Sequence, residues 1–247
     1  MKQEEKILTR KLVDKLGLYK FEVITSDMID GYTSIGYDAF FGCSSLASII
    51  IPNSVTRIDE SAFEDCYSLR TIIIPNSVIR IDESSFEDCC SLRTITIPDS
   101  VTSIERFAFN ECHSLKSIII PNSIVYFGTN AFYRCINLSS VIIGDKTYEI
   151  QKVVEGKCKA YKAFYSDMIC RGFKYEEGKT YEIEDEPKLC TRGFHACLML
   201  TDVFNYYFGK IGKDIVVHEV KLEGVSDERQ CDSKVVAKKI TIGKRIL

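Results

Sequence analysis

The stretch IPNSVTRIDESAFEDCYSLRTII occupies Ile51 to Ile73, and IPNSVIRIDESSFEDCCSLRTIT follows it directly, from Ile74 to Thr96. The two stretches differ at few positions, and similar residues recur at the same 23-residue step over residues 28–142, which makes five full copies. A fixed period of this length is typical of a protein built from stacked structural repeats.

Apolar residues form five columns at this step. They are Ile35, Ile58, Ile81, Ile104 and Phe127; Phe40, Phe63, Phe86, Phe109 and Phe132; Cys43, Cys66, Cys89, Cys112 and Cys135; Leu46, Leu69, Leu92, Leu115 and Leu138; and Ile49, Ile72, Ile95, Ile118 and Val141. One copy is too short to bury its own apolar residues, whereas stacked copies cover one another. We therefore expect these columns to line the interior of the stack.

Each copy contains the spacing L-x-x-I-x-I, as in Leu69 to Ile74, which is typical of the strand in a leucine-rich repeat. The proline that follows, such as Pro75, ends the strand because it has no N–H to donate to the ladder. The pattern predicts an α/β solenoid over residues 28–145. It would be a right-handed coil of five repeats, with a parallel sheet along one face.

The motif IPNSVxxIxxxAFxxCxSLxxI closely resembles the BspA-type leucine-rich repeats of bacterial proteins, which also occur in some protists and phages. The resemblance covers roughly residues 28–145 and implies protein recognition, often at cell surfaces. The N-terminal residues Met1 to Glu5 are acidic where a signal peptide has basic residues, and no apolar segment follows them. We therefore expect a cytoplasmic location, with the cell surface as the alternative that the resemblance implies.

Five of the eleven cysteines fall on the repeat period. Their Cβ vectors would run parallel in a stack, so we expect buried thiols that act as small apolar side chains rather than disulfides or metal ligands. Cys90 lies beside the column and is predicted to face outward.

The outer face of the predicted strands carries hydroxyl and β-branched residues flanked by a basic row. The predicted partner-binding residues are Arg70, Thr71, Ile73, Arg93, Thr94, Thr96, Lys116 and Ile119. An apolar stripe with a charged rim is typical of a protein-binding surface. The alternative is that β-branched residues simply favour exposed strands. The acidic runs around Asp59 and Glu64 are predicted to form a solvated face.

Residues 1–27 are predicted to form an N-terminal helical cap that covers the end of the solenoid. Apolar residues share one side of a helix over residues 3–16, and Gly17 would end it.

From about residue 156 the period is lost, and the pattern predicts a small α+β domain over residues 156–247. The predicted strands are Cys158–Tyr165, Thr180–Ile183, Ile215–Leu222 and Lys234–Ile242, and a short helix is expected over residues 201–207. The segments ICRGFKYEEGKTYEI and LCTRGFHACLMLTDVFNYY resemble an uncharacterised domain of bacterial and phage proteins.

The segment RGFHACLMLTDVFNYY also resembles the strand and helix of ADP-ribosyltransferase-type NAD sites. This resemblance implies a pocket lined by Gly193, Phe194 and His195, with Tyr161 and Tyr181 as stacking partners. The repeats would then act as a targeting platform for the enzyme.

Three further observations bear on this domain. A transferase of that type uses a glutamate late in its sequence. The matching segment here reads Asp232, Ser233 and Lys234 and has no glutamate, so Glu219 is the nearby candidate. A zinc site at Cys190, His195 and Cys197, joined by Cys170 or Cys158, would have an untypical spacing. A Cys–His nucleophile could use His195 or His218 with Cys197. We expect a non-catalytic module instead, with no cofactor and no metal.

The net charge of −3 lacks the basic balance that nucleic-acid binding usually needs. No apolar run is long enough to span a membrane. We therefore expect a monomer that uses the strand face of its solenoid to bind a protein.

Overall fold

The computed structural model describes residues 5–151, 154–170, 173–184, 194–206, 209–210, 215–226 and 234–247. The chain divides into two compact units, Met1–Thr147 and Tyr148–Leu247. Both are built mainly from short strands, and their helical content is low.

The first unit is a solenoid with two lines of parallel strands. One line consists of β1 (Ile7–Leu8), β3 (Ser34–Ile35), β5 (Arg57–Ile58), β7 (Arg80–Ile81), β9 (Ser103–Ile104) and β11 (Tyr126–Phe127). The other consists of β2 (Val23–Ile24), β4 (Ser48–Ile50) and β6 (Thr71–Ile73), then β8 (Thr94–Thr96), β10 (Ser117–Ile120) and β12 (Ser140–Ile143). Strand β13 (Lys146–Glu149) pairs with β12.

The register of the strands follows the sequence period. Ser117 lies opposite Thr94 on one side and opposite Ser140 on the other, so each step between neighbours is one repeat. The solenoid of parallel strands is therefore confirmed. It has about six turns rather than five, since residues before the first full repeat supply one strand to each line.

The N-terminal helix predicted over residues 3–16 is wrong in its extent. Ile7 and Leu8 form β1 and pair with β3, while helix α1 covers only Arg10–Lys15. The exposed edge of the first repeat offers backbone partners to Ile7 and Leu8, and this pairing outweighs their helix propensity. Gly17 has φ of 67° and follows the helix as predicted. Two 3-10 helices follow, at Leu18–Lys20 and Ser26–Ile29.

The apolar columns form a dry interior. The rings of Phe40, Phe63, Phe86, Phe109 and Phe132 stack with centroids 5.2–5.4 Å apart and interplanar angles of 2–7°. All five of these rings are buried. Offset and parallel ring contacts of this kind add to the free energy that burial supplies.

The buried thiols make a hydrogen bond that the sequence pattern did not predict. Four of the five column thiols donate to the backbone carbonyl of the phenylalanine one coil back, as from Cys66 Sγ to Phe40 O at 3.1 Å and from Cys89 Sγ to Phe63 O at 3.2 Å. Cys112 and Cys135 repeat the contact. The five column cysteines and Cys90 are in no disulfide. The column is therefore an apolar ladder that also satisfies a buried carbonyl.

The second unit is built around antiparallel strands. They are β14 (Lys157–Tyr165), β15 (Ile169–Cys170), β16 (Phe173–Lys174), β17 (Thr180–Glu182), β18 (Phe194–Cys197), β20 (Ile215–Val225) and β21 (Lys234–Arg245). A further short strand, β19, covers Gly209–Lys210. The order in the main sheet is β17-β21-β18-β14-β20, and β21 pairs with β20 as well. Strands β14, β18, β21 and β20 therefore close into a ring.

The interior of this ring holds Phe164, Val220, Val235 and Ile240, each nearly or fully buried. The four predicted strands are confirmed, with small changes at their ends. The helix expected over residues 201–207 is a 3-10 helix at Leu200–Asn205. The α+β class of this unit stays a prediction, because its described residues contain little helix.

Candidate functional site

The strand face of the solenoid presents all eight predicted partner-binding residues to solvent. In β6 and β8 the side chains alternate exposed, buried, exposed, so that Thr71, Ile73, Thr94 and Thr96 point away from the core. Arg70, Arg93, Lys116 and Ile119 are exposed as well. Ile73 is 59 % exposed, which leaves most of an isoleucine in water.

Basic residues on the two lines of strands differ in their partners. On the β5–β11 line Arg57 lies 3.0 Å from Asp59, and Arg106, in the turn after β9, lies 2.9 Å from Glu83. Arg80, the other arginine of this line, pairs with Asp82 and Glu105. Arg134, in a turn between β11 and β12, pairs with Glu111. On the other line, Arg70, Arg93 and Lys116 are in no ion pair with any residue that the structure describes.

These three cations form one row. Neighbouring parallel strands are about 4.8 Å apart, so the row places like charges side by side. Like charges in directly opposed positions destabilise a sheet. The row therefore lacks the local compensation that the opposite line has.

A depression of about 710 Å³ adjoins this face at the ends of β4 and β6. Its floor includes Ile50 and Ile73, and the acidic side chains of Asp27 and Asp30 lie at its rim. The sequence reasoning missed both aspartates, because they belong to the atypical first coil.

A second site is a cavity of about 780 Å³ in the C-terminal unit. Its walls come from β14, the β15–β16 hairpin, β17, β18, the 3-10 helix and the start of β21. Such a volume lies within the usual range of small-molecule pockets, about 300–1,000 Å³.

Aromatic rings make up one wall of this cavity. Phe173, Tyr175 and Tyr181 form a mutual cluster in which the ring centroids are 4.9–5.2 Å apart, all in edge contacts. Tyr181 Oη accepts a hydrogen bond from the Glu176 N–H at 2.9 Å, which fixes that ring. The cavity thus contains a rigid aromatic surface.

Two lysines bring positive charge to the cavity. Lys162 is only 6 % exposed, and its Nζ donates to His195 O at 2.8 Å and lies 5.4 Å from the Phe164 ring centroid. Lys234 Nζ lies 4.1 Å from the centroid of Tyr206. Among the described lining residues, Glu182 is the one carboxylate, and it is exposed and paired with Lys239 at 3.6 Å.

Two tyrosines of the cavity have shifted pKa values. Burial raises the pKa of Tyr175 to about 12, and the neighbouring Cys170 and Tyr181 add to the shift. Burial also raises the pKa of Tyr161, whose hydroxyl donates to Glu149 O at 3.3 Å and accepts from Gln151 Nε2 at 3.1 Å. Both hydroxyl groups therefore stay protonated near neutral pH.

The cavity brings together three of the five predicted pocket residues: Tyr161, Tyr181 and His195. Phe194 belongs to β18, and Gly193 lies outside the described residues. Sequence reasoning missed Lys162, Phe173, Tyr175, Tyr206 and Lys234. The one available signal was a lysine at an inward position of the strand predicted over Cys158–Tyr165.

The residues of the enzymatic and metal hypotheses are only partly within the described chain. Glu219, the candidate late glutamate, does not line the cavity, and Asp232 lies outside the described residues. Cys190 is also outside them, and no three described His, Cys, Asp or Glu side chains could hold a metal together. His218 is buried, and its Nδ1 donates to Gly243 O at 2.9 Å.

Cys90 is half-buried at the surface of the solenoid. Its Sγ is 3.6 Å from His113 Nδ1, and His113 Nε2 is 3.2 Å from Glu111 Oε2. Burial, followed by the nearby Asp88, raises the pKa of this thiol. A nucleophilic cysteine needs a lowered pKa, so this triplet lacks the electrostatics of a reactive site.

The fold and the exposed strand face define a solenoid of the kind that supports a protein-interaction or surface-repeat role. Residues 33–162 match the BspA type leucine rich repeat region in six copies. The chain therefore belongs to the BspA-type leucine-rich repeat family. Residues 158–247 match a domain of unknown function, DUF7666.

Several solved structures resemble part of the chain. A leucine rich cell surface protein from Faecalibacterium prausnitzii A2-165 shares 31% identity over 51% of this chain and 33% of its own, with a TM-score of 0.49. A leucine-rich repeat protein from Bacteroides ovatus shares 40% sequence identity over 45% of this chain and 29% of its own chain, with a TM-score of 0.44. The T. pallidum leucine rich repeat protein shares 34% sequence identity over 49% of this chain and 58% of its own chain, with a TM-score of 0.48. The matched part thus spans less than two thirds of each of these proteins. No curated protein matches the chain.

Within the described part of the chain, no helix combines the length and apolar character needed to cross a bilayer.

Proposed function

We propose that the chain binds a protein partner through the strand face of its solenoid, and that Arg70, Arg93 and Lys116 contact acidic groups on that partner. The supporting observation is the contrast between the two lines of strands, since Arg57 and Arg80 on one line are in ion pairs, whereas Arg70, Arg93 and Lys116 on the other have no ion pair with any residue that the structure describes. Proteins tolerate such local conflicts mainly at functional sites.

The neighbouring apolar groups define the rest of the interface. Ile73 and Ile119 are exposed on the same strand face, and Ile73 also lines the depression at the ends of β4 and β6. An apolar side chain of the partner would fill this depression and bury Ile50 and Ile73. Burial of apolar groups inside a charged rim is the usual arrangement of a protein interface.

The test places a photo-crosslinking residue at Thr94 on the strand face or, as the matched control, at Glu60 on the acidic face. Adducts to a protein should form from Thr94 and should be lost when Arg93→Glu is added, because the reversed charge repels an acidic partner. The thermal transition should stay almost unchanged, since Arg93 is exposed and in no described ion pair. Equal crosslinking from both positions, or adducts that survive Arg93→Glu, would contradict the proposal.

The location and the oligomeric state stay predictions, namely a cytoplasmic monomer, with the cell surface as the alternative location. The NAD-dependent transferase activity of the C-terminal unit likewise stays an alternative prediction.

A further inference from the structure

We infer that the part of the partner that lies on the strand face is an extended segment with charges of both signs, in which an apolar residue separates a basic residue from an acidic one. The inference rests on the proposed function and adds the sign and the spacing of the charges that the partner carries. It follows from the charges at the two ends of the strands, from the depression beside them and from the distance between strands.

The two ends of the face strands carry opposite charges. Arg70, Arg93 and Lys116 come directly before β6, β8 and β10. Asp27 and Asp30 come after β2, and both line the depression at the other ends of β4 and β6. In parallel strands the first residues share one edge and the last residues share the other. A uniformly acidic segment would therefore be attracted at one edge and repelled at the depression.

The two aspartates of the depression are accessible to a cation. Both are exposed, and neither is in an ion pair with any residue that the structure describes. Within the described chain no third acid, histidine or cysteine joins them to hold a metal ion, and a calcium site takes roughly six to eight oxygen ligands. Asp27 and Asp30 suit an ammonium or a guanidinium group instead, through charge-assisted hydrogen bonds.

A hydroxyl of the depression lacks the contact that its equivalents make. Ser77 Oγ, Ser100 Oγ and Ser123 Oγ each donate to the backbone carbonyl 22 residues earlier, at 2.5–2.6 Å. Ser54 holds the same place in its repeat, but its Oγ is buried without a hydrogen-bond partner among the described residues. A backbone carbonyl of a bound segment would supply the missing acceptor. This favours an extended segment, because a helix already uses its carbonyls internally.

The distance between strands sets the spacing of the partner's charges. From Arg70 to Ile73 the chain advances by three residues, which is about 10 Å in a strand. Strand β2, which leads to Asp27, is two strands away from β6, or about 10 Å along the line. The diagonal is thus about 14 Å, which an extended segment covers in about four residues. Side chains at i, i+2 and i+4 of such a segment point to the same side, so they are the basic, apolar and acidic residues, in this order or reversed.

The inference is tested by selection from a phage-displayed library of random peptides on the full chain. Retained peptides should carry a base, an apolar residue and an acid at alternate positions more often than the unselected library does. Retained peptides with acids but no base would overturn the inference and leave the proposed function standing, and so would charges at helical spacing. Retention that is equal on the Arg93→Glu chain would count against both. If no peptide is retained, the inference fails, and crosslinking from Thr94 still decides the proposed function.

A labelled synthetic copy of the selected peptide locates its base by fluorescence anisotropy. Asp30→Asn should weaken its binding by roughly two- to fivefold, as expected for the loss of an exposed ion pair. Glu60→Gln is the matched control, since Glu60 is exposed on the acidic face and outside the depression, and its affinity should equal that of wild type. Both substitutions are at exposed positions and should leave the thermal transition unchanged.

A second peptide separates a direct contact from an effect on the fold. When glutamine replaces the base of the peptide, wild type and Asp30→Asn should bind it equally, because the ion pair is already lost. When glutamate replaces the base, Asp30→Lys should bind the peptide more tightly than wild type does. Continued loss of affinity in Asp30→Asn toward the glutamine peptide would show that Asp30 acts through the fold and would refute the inference.

Discussion

The two candidate sites are assembled from residues at very different sequence separations. On the solenoid face, Arg93 and Lys116 are adjacent because β10 pairs with β8, the strand one repeat away, and the Lys116 N–H donates to Arg93 O at 2.9 Å. In the C-terminal unit, the cavity joins Tyr161 on β14 to Lys234 on β21, which are brought together by the strand β18 that lies between them. A repeat array thus builds a flat surface from local steps, whereas ring closure builds a concave site from distant segments.

The two sites also differ in how far their cationic side chains are exposed to water. The solenoid keeps its cations exposed, where water screens them, and places them in a row. The C-terminal unit buries Lys162, whose Nζ donates to His195 O and lies beside the Phe164 ring. An exposed row is accessible to a large partner with its own charges, whereas a buried ammonium is not.

The largest effect is expected from breaking the phenylalanine stack. Phe86→Ala should lower the free energy of unfolding by ~3–5 kcal/mol, because a buried ring is lost and its neighbours cannot collapse into the gap. Urea titration measures this loss, and hydrogen exchange assigns it to the solenoid. Phe173→Ala, at an exposed ring, should cost below about 1 kcal/mol. Equal losses would mean that the stack is no better packed than the cavity rim.

The second effect is a fall in stability at alkaline pH. Burial raises the pKa of Cys66, Cys89 and Cys112 above their usual value, so the folded chain keeps these protons when the unfolded chain has lost them. Stability from each thiol is therefore complete below the unfolded pKa, near 9, and falls above it by about 1.4 kcal/mol per pH unit.

The change should be followed by urea titration at several values between about pH 8 and pH 10, below the range in which Tyr175 matters. Cys89→Ala removes one thiol, so the fall in the free energy of unfolding with pH should become shallower by about 1.4 kcal/mol per pH unit. An identical pH dependence in wild type and Cys89→Ala would show that the ladder thiols do not cause it.

The smallest effect distinguishes the two lines of strands. Arg57→Ala removes an ion pair with Asp59 and should lower the free energy of unfolding by about 0.2–1 kcal/mol. Arg93→Ala should leave stability unchanged, because this side chain has no described ion partner to lose. Urea midpoints at low and high salt measure the difference, which salt should reduce. A larger loss of stability from Arg93→Ala than from Arg57→Ala would show that Arg93 makes a structural contact, which would count against its role in the proposed interface.

The sequence predicted the solenoid well because each residue meets its equivalent one period away. The period therefore predicted the strand register, the stacking of the phenylalanines and the exposure of Thr71 and Ile73. It did not predict the β1 strand, since Ile7 and Leu8 lie outside the period and read as helix. It also did not predict the line from β3 to β11, because each of these strands has only two residues and is too short to show an alternating pattern.

For the C-terminal unit the sequence predicted strands but not their order. Alternation along a chain shows which residues share a face of one strand, yet it does not show which strand lies beside it. Lys162 and Lys234 therefore could not be assigned to the cavity of Tyr161 and Tyr181 in advance. Only the pairing of β21 with both β18 and β20 places them together.

By itself, the sequence determined a stack of leucine-rich repeats with an inward apolar face and an outward strand face. The physical reason is that the neighbours of each residue were fixed by a constant step along the chain. The tertiary structure alone decided the ion pairing that separates the two lines of arginines and the closure that forms the cavity, because both depend on contacts between segments that no local pattern relates.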